Sequence, residues 1–430
     1  MTYRKQSEIT KSPERTGRDY LDSSRWEVYN HYKTELTKTK EPNKPGHFIT
    51  DFLAKSFWPW LIHYVKSRFG RKYPYPSYPP GETGIYNVVP KQSVSIAITS
   101  DWATDTPDSF AIARKMREHD PDYTIHVGDT YYVGAPSEIR SNFTVDGAPW
   151  VRGNAGSFAV LGNHEMYARG TAFFTSLLPT LGVRDANGIY LGQYAGYFCL
   201  QNENWRILGL DTGYHSSGTP IVEFIPGFGP DCRLDQSQLD WLTNVVRLDD
   251  PSDKRGLMIL THHQPITAFA KETEYPRPHQ QLTSILGSEK SVIWLWGHEH
   301  KLAFYEKLQL DKGLTIHGRC IGNGGTPVDT SDYGKNFKLG PQKKGFPYLI
   351  AADRRTQKTL ENTPLGFNAY AVVDLNGADL SIGYCDNISP IVTELWRVDP
   401  QTGTISGTIK GQPANNLTFY NQKTWDDIVS

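Results

Sequence analysis

From Ser93 onward the chain alternates short apolar runs with longer stretches in which apolar residues recur at helical spacing. The runs VSIAITSD, YTIHVGD, SFAVLGNH, LMILTHH and VIWLWGHEH have the length and β-branched content of buried strands. Between the first two, Thr106 stands as an N-cap before Pro107, and PDSFAIARKMREH carries helical spacing. This predicts a helix crossing over to a parallel neighbour, a βαβ unit. Asp235 caps DQSQLDWLTNVVRL in the same way, and the apolar stripe of that segment predicts a helix laid on a sheet face. QYAGYFCL and WRILGLDT flank the polar QNEN, and FNAYAVVDL and DLSIGYC flank NGA, so antiparallel hairpins are expected as well. Both kinds of pairing together predict an α/β domain built on mixed sheets.

The first ninety residues have a different texture. TDFLAKSFWPWLIHYVKSRF reads as helix, and YPYPSYPPGETG, whose prolines cannot donate backbone hydrogen bonds, reads as a linker. The expected organisation is a helical, Pro/Tyr-rich extension over 1–90, a main domain over 91–395 and a β-rich tail over 396–430.

Charge and cysteine usage narrow the classes. With 46 acidic and 45 basic residues in 430, no global field favours nucleic acid, and none is expected as a partner. Cys199, Cys232, Cys320 and Cys385 lack the close pairing of a zinc knuckle or a disulfide framework, which points to a reducing compartment. The N-terminal MTYRKQSEITKSPERTGRDY has no apolar core of a secretory signal. The apolar run FWPWLIHYV is too short for a bilayer and is broken by Pro59 and His63. A cytoplasmic protein without a transmembrane segment is expected.

Candidate chemistry lies at the ends of the strand-like runs: Asp101, Asp129, Asn163 with His164, His262 with His263, and His298 with His300. Loops at the carboxyl ends of strands converge on one crevice in α/β sheets, so distant residues can surround one ligand. Carboxylate, imidazole and amide donors suit iron, zinc or manganese. Alone, a strand-end aspartate usually caps a helix and a single histidine usually packs; the coincidence across five runs favours a metal pair. His126, inside a run, reads as packing, and GNGGTP (322–327) reads as a turn because it lacks the lysine and following helix of a P-loop.

In this order Asp101, GDTYY (128–132), GNHE (162–165), THHQP and GHEH (297–300) resemble the calcineurin-like metallophosphoesterases over roughly residues 93–390. The resemblance implies a four-layer α/β/β/α sandwich of two mixed sheets and a two-metal site that hydrolyses phosphate esters. Most of that family carry a histidine two residues after the first aspartate, where this chain has Ala103. Purple acid phosphatases share that loss and use a tyrosine three residues after the second aspartate, the position of Tyr132. By this resemblance Asp101, Asp129, Tyr132 and His300 hold a ferric ion, and Asp129 bridges to a divalent ion (Fe, Zn or Mn) on Asn163, His263 and His298. A ferric ion is implied because a phenol with an ordinary pKa of about 10 needs a strongly acidic cation to ionise it.

The family histidine stands two residues before a proline, which selects His263 and leaves His262 to line the pocket or to support the ligands from behind. His215 and Arg169, in loops near the expected crevice, are further substrate-binding candidates. His164, beside Asn163 in the catalytic pair, binds a phosphoryl oxygen or protonates the leaving group, oriented by Glu165. The implied reaction is attack of a metal-bound hydroxide on a small-molecule phosphate monoester. A phosphodiesterase or nucleotide pyrophosphohydrolase could use the same site, and a metal-containing binding or scaffold protein is the reading of another class.

Overall fold

A computed structural model describes residues 71–217, 231–269, 272–328, 349–358, 364–410, 416–420 and 424–430. The helix expected within 50–69, with its FWPWLIHYV run, lies outside the described residues.

The strands in chain order are β1 (Ile85–Asn87), β2 (Val94–Thr99), β3 (Tyr123–His126), β4 (Gly156–Ala159), β5 (Gly182–Val183), β6 (Phe198–Gln201), β7 (Trp205–Leu210), β8 (Gly256–Thr261), β9 (Lys290–Trp296) and β10 (Leu302–Asp311). They continue as β11 (Leu314–Ile321), β12 (Leu349–Asp353), β13 (Gln357–Lys358), β14 (Pro364–Leu365), β15 (Ala369–Asn376), β16 (Asp379–Asp386), β17 (Pro390–Val398), β18 (Ile405–Ile409) and β19 (Leu417–Phe419). The helices are α1 (Pro107–Glu118), α2 (Pro136–Ile139), α3 (Asn163–Tyr167), α4 (Gln236–Trp241) and α5 (Arg277–Ile285).

One sheet runs β1-β6-β7-β8-β9-β11-β10-β12-β19 and a second runs β18-β17-β16-β15-β2-β3-β4-β5, with β13 and β14 forming a separate ribbon. Both large sheets are mixed: β2, β3 and β4 are parallel, as are β7, β8 and β9, while β6/β7 and β15/β16 are the expected antiparallel pairs. Their inner faces meet over one core, with Ile96, Ile98, Ile125 and Phe158 from one sheet and Phe198, Ile207, Met258 and Leu260 from the other. On the outer face of the second sheet, α1 packs Ile112 and Met116 into a cluster with Ala97 and Val372. On the opposite outer face Trp241, Leu242 and Leu282 cover Leu208, Ile259 and Trp294. Four layers result because each sheet has two apolar faces to bury.

The helix that links β2 to β3 begins as its sequence predicts. Ser109 N–H donates to Thr106 Oγ1 at 3.3 Å and Thr106 N–H donates to Ser109 Oγ at 3.1 Å, a reciprocal cap, with Pro107 at the first position. Asp235 caps α4, accepting from Ser237 N–H at 3.1 Å.

The YPYPSYPP stretch does not hang free as a linker. Tyr73 stacks on Phe174 with centroids 5.5 Å apart, Tyr75 meets Tyr214 at 4.7 Å, and the Tyr78 hydroxyl donates to Tyr197 O at 2.6 Å. The prolines hold an extended backbone while the intervening tyrosines bury their rings on the domain. At the other end of the chain, β18 extends one sheet and β19 the other.

Arg319 on β11 and Glu394 on β17 tie the two sheets through a fully buried ion pair at 2.7 Å. Arg319 also donates to Tyr305 O at 3.0 Å, and Trp396 Nε1–H donates to Glu394 at 3.0 Å. Removing one charge strands the other in the core, so Arg319→Met is expected to lower unfolding stability by about 3–5 kcal/mol. Urea unfolding checks this, and Arg319→Met with Glu394→Leu should recover much of the loss. No helix among the described residues is long and apolar enough to cross a membrane.

Candidate metal centre

Strand ends from both sheets deliver the polar residues to one place. Asp101 follows β2, Asp129 follows β3, Asn163 opens α3 after β4, His262 and His263 follow β8, and His298 and His300 follow β9. Three of these turn their backbones into the left-handed region, with φ of 56° at Asp101, 67° at Asp129 and 64° at His298. Asp and His tolerate this region better than most residues, yet each such position costs on the order of 1–3 kcal/mol. The GNGGTP turn closes over Asp101: Gly325 and Thr326 N–H groups donate to Asp101 O, both at 3.1 Å.

Glycine makes room for the ligands. A Cβ on Gly162 would stand 2.1 Å from Asp129 Oδ1 and 2.5 Å from Asp129 N. Gly162→Ala is therefore expected to fold but displace Asp129 and lose most bound metal, as measured by elemental analysis after dialysis. Full metal content in that variant would show that Asp129 is dispensable for binding.

The side chains form one hydrogen-bonded cluster. Asp101 accepts from His298 N–H at 2.9 Å and Ser100 Oγ–H at 2.7 Å. Asp129 accepts from His164 N–H at 2.9 Å, and its other oxygen lies 3.2 Å from His262 Nε2. Asn163 Oδ1 is 3.1 Å from the same His262 nitrogen. The His300 Nε2 atom lies 3.4 Å from Asp101 Oδ1. His263 meets His298 with ring centroids 4.8 Å apart, and Thr212 Oγ1 sits 3.0 Å from His263 Nδ1. Backbone Val127 O, 2.9 Å from His262 Nδ1, fixes that ring so that Nε2 faces the cluster.

One position differs from the sequence reading. Tyr131, not Tyr132, turns its hydroxyl inward, donating to Asp101 at 2.7 Å and lying 2.9 Å from His300 Nε2 and 3.2 Å from Asp129. The neighbouring backbone explains the choice. Glu138 of α2 accepts from the N–H groups of Tyr132, Val133 and Ala135, and Tyr132 O accepts from His164 Nδ1–H at 2.6 Å. With Tyr132 anchored on that side, its ring stands at the half-buried rim while Tyr131 is buried. Both histidines of the HH pair enter the cluster, with His262 against Asp129 and Asn163, where it can support the ligands.

The other candidates lie elsewhere. His215 Nε2 pairs with Asp235 at 2.9 Å, at the cap of α4, and Arg169 offers its backbone O to Tyr73 N–H at 3.0 Å. Neither makes a described contact with the cluster. Glu165 accepts from Gly162 N–H at 3.0 Å and Asp129 N–H at 3.3 Å, so it orders the GNHE turn rather than the His164 ring. Thr212 and Glu138 had no signal in the sequence: Thr212 holds His263 from 51 residues away, and Glu138 gathers the backbone N–H groups of Tyr132, Val133 and Ala135 just before it.

Burial would raise both carboxyls, but facing imidazoles outweigh it. His262 and His300 hold Asp101 below the usual carboxylate range, and His262 and His164 hold Asp129 well below it. Burial opposes a charge on His262, yet Asp129 and Asp101 push it up to about 10. Burial and the neighbouring imidazoles depress His263 well below its ordinary value and His298 to about 3, keeping both in the neutral, ligating form. Burial, then Asp101 and Asp129, push the Tyr131 phenol well above its usual value.

The donor set fits a pair of cations. One ligand atom each from His262, His263 and His298 lie within 4.8 Å of one another, and so do those of Asp101, Asp129 and His262. The two groups share His262. Mixed oxygen and nitrogen donors without thiolate match borderline-hard ions.

A strand-end cluster of carboxylates, imidazoles, an amide and a phenol on a two-sheet α/β/β/α sandwich defines a metal-binding protein of the layered α/β class. Residues 94–302, 209 of the 430, match the family model of the calcineurin-like phosphoesterases. No curated relative matches the sequence. Among solved structures, a purple acid phosphatase from yellow lupin (Lupinus luteus) seeds shares 13% identity over 69% of this chain and 52% of its own, with a TM-score of 0.41. The match thus spans about half of that enzyme. PhoD shares 11% identity over 77% of this chain and 74% of its own, with a TM-score of 0.45. Vacuolar protein sorting 29 from Cryptosporidium parvum shares 12% over 75% and 99%, with a TM-score of 0.26.

Proposed function

We propose that this protein hydrolyses phosphate monoesters at a dinuclear centre, a ferric ion on Asp101, Asp129, Tyr131 and His300 beside a divalent ion on Asp129, Asn163, His263 and His298, with His262 at their junction. The observation that carries the reading is the Tyr131 hydroxyl, which meets Asp101, Asp129 and His300 together, the companions a phenolate ligand of the first ion requires. When bound, the two ions supply Lewis acidity toward the phosphoryl oxygens and a water acidic enough to attack near neutral pH.

The chain's own groups do the rest. His164 donates Nδ1–H to Tyr132 O, which leaves Nε2 toward the cluster, 3.7 Å from Asp129. There it holds a proton for the leaving oxygen, whose departure as an alkoxide is otherwise slow. A purely structural metal site has no use for such a group, which disfavours the scaffold reading. All four cysteines are free and buried, which supports a reducing compartment such as the cytoplasm.

Metal-loaded protein tested on phenyl phosphate and diphenyl phosphate decides the ester class. The monoester should turn over faster, a chelator should abolish turnover, and iron with zinc should restore it. Cleavage of the diester alone would assign the site to phosphodiesters, and no cleavage of either would reject hydrolysis.

A further inference from the structure

The centre has a buried floor and a half-open rim. Asp101, Asp129, Tyr131, His262 and His263 are buried, while His164, His298 and His300 are partly exposed. Two tyrosines at that rim have no part in the chemistry described above. Tyr167, the last residue of α3, meets the His164 ring at 5.0 Å and 68°. Tyr275, just before α5, meets His263 at 5.0 Å and 75° and His298 at 6.1 Å and 71°. One ring thus leans on the proton donor and the other on the metal-holding imidazoles, and neither stacks face to face with its imidazole.

Their placement is built in. Tyr275 N–H donates to Gln264 O at 3.1 Å and Gln264 Nε2–H donates to Thr273 O at 2.7 Å, which ties the Tyr275 segment to the residues just after His263. Tyr167 rides on the same short helix as Asn163 and His164. Both rings therefore border the cluster, Tyr167 at His164 and Tyr275 at His263 and His298. A phosphoryl group held at the centre presents its ester oxygen to His164, whose ring Tyr167 meets.

We propose that Tyr167 and Tyr275 form an aromatic clamp for the leaving group, so that the site selects phosphate esters whose alcohol bears a planar aromatic ring. This rests on the phosphoesterase reading above and adds the substrate class. In the reaction a water oxygen bonds to phosphorus, the ester P–O bond breaks, and the leaving oxygen takes the His164 proton. The products are the free aromatic alcohol and inorganic phosphate. Contact between aromatic faces strengthens binding by about two- to tenfold per ring.

The test compares kcat/KM for 2-naphthylmethyl phosphate, a nucleoside 5′-monophosphate and n-butyl phosphate in the metal-loaded enzyme. Wild type should prefer the aromatic esters over the butyl ester by tenfold or more; the naphthyl and nucleoside arms distinguish a ring held directly on the carbinol from one carried on a sugar. Tyr275→Leu and Tyr167→Leu should each lower the aromatic-to-butyl ratio about three- to tenfold. Tyr275→Phe and Tyr167→Phe should keep it, because the face remains and only the hydroxyl is gone. Metal content is measured in every variant, so that a disturbed centre, which slows all three esters together, shows itself apart from lost selectivity. Hydrolysis of all three esters with a ratio that neither leucine variant moves overturns the clamp and leaves the phosphoesterase reading standing. Hydrolysis of none rejects both.

Discussion

Tyr131→Phe is expected to abolish the visible phenolate-to-iron absorption of the iron-loaded protein, while Tyr132→Phe keeps it. The two residues are adjacent, equally capable as ligands and separated only by which way each points. Tyr131 is 5% exposed and its oxygen lies within hydrogen-bond reach of Asp101, Asp129 and His300, whereas Tyr132 is held at the rim by Glu138 and His164 through its backbone. Removing one oxygen from Tyr131 deletes the proposed ligand atom and leaves a buried apolar ring beside two carboxylates. Iron content should fall together with the colour. Visible spectra and elemental analysis of the paired variants settle the assignment. Colour lost in Tyr132→Phe but retained in Tyr131→Phe would return the ligand role to the residue that the motif spacing selects.

His164→Ala is expected to cut turnover of an alkyl phosphate by about a hundred- to ten-thousandfold, the range over which a positioned proton donor acts. The variant keeps its backbone N–H, which bonds Asp129, so metal content should remain near wild type. The loss should shrink as the leaving group becomes more acidic, because nitrophenolate departs without a proton. Rates equal to wild type on the alkyl ester would remove His164 from the proton-transfer role. Equal losses on alkyl and nitrophenyl esters would instead assign it to binding the phosphoryl group.

Much of the fold was legible because its signals are local. Thr106 and Pro107 announce α1, the QNEN and NGA turns announce two hairpins, and the apolar runs announce the inner strands. Ligand candidates were legible for a related reason: each sits where an apolar run stops, and strand carboxyl ends share one side of a sheet. The Tyr/Pro stretch was not, since proline density marks an extended chain in a free linker and in a segment lying along a surface alike.

Order along the chain named Asp101, Asp129, Asn163, His298 and His300, and the tertiary structure brought all five into one cluster. Between neighbours of the same type, Tyr131 and Tyr132 or His262 and His263, the sequence offered no physical basis for choosing. Those choices fell to partners that the fold supplies: Glu138, six residues on, holds one backbone, while the remote Val127 O stands behind one imidazole and Thr212 behind the other. Periodicity and punctuation are properties of a few consecutive residues, so they can be read from a string. The direction of a single side chain depends on which distant donors and acceptors the folded chain sets around it.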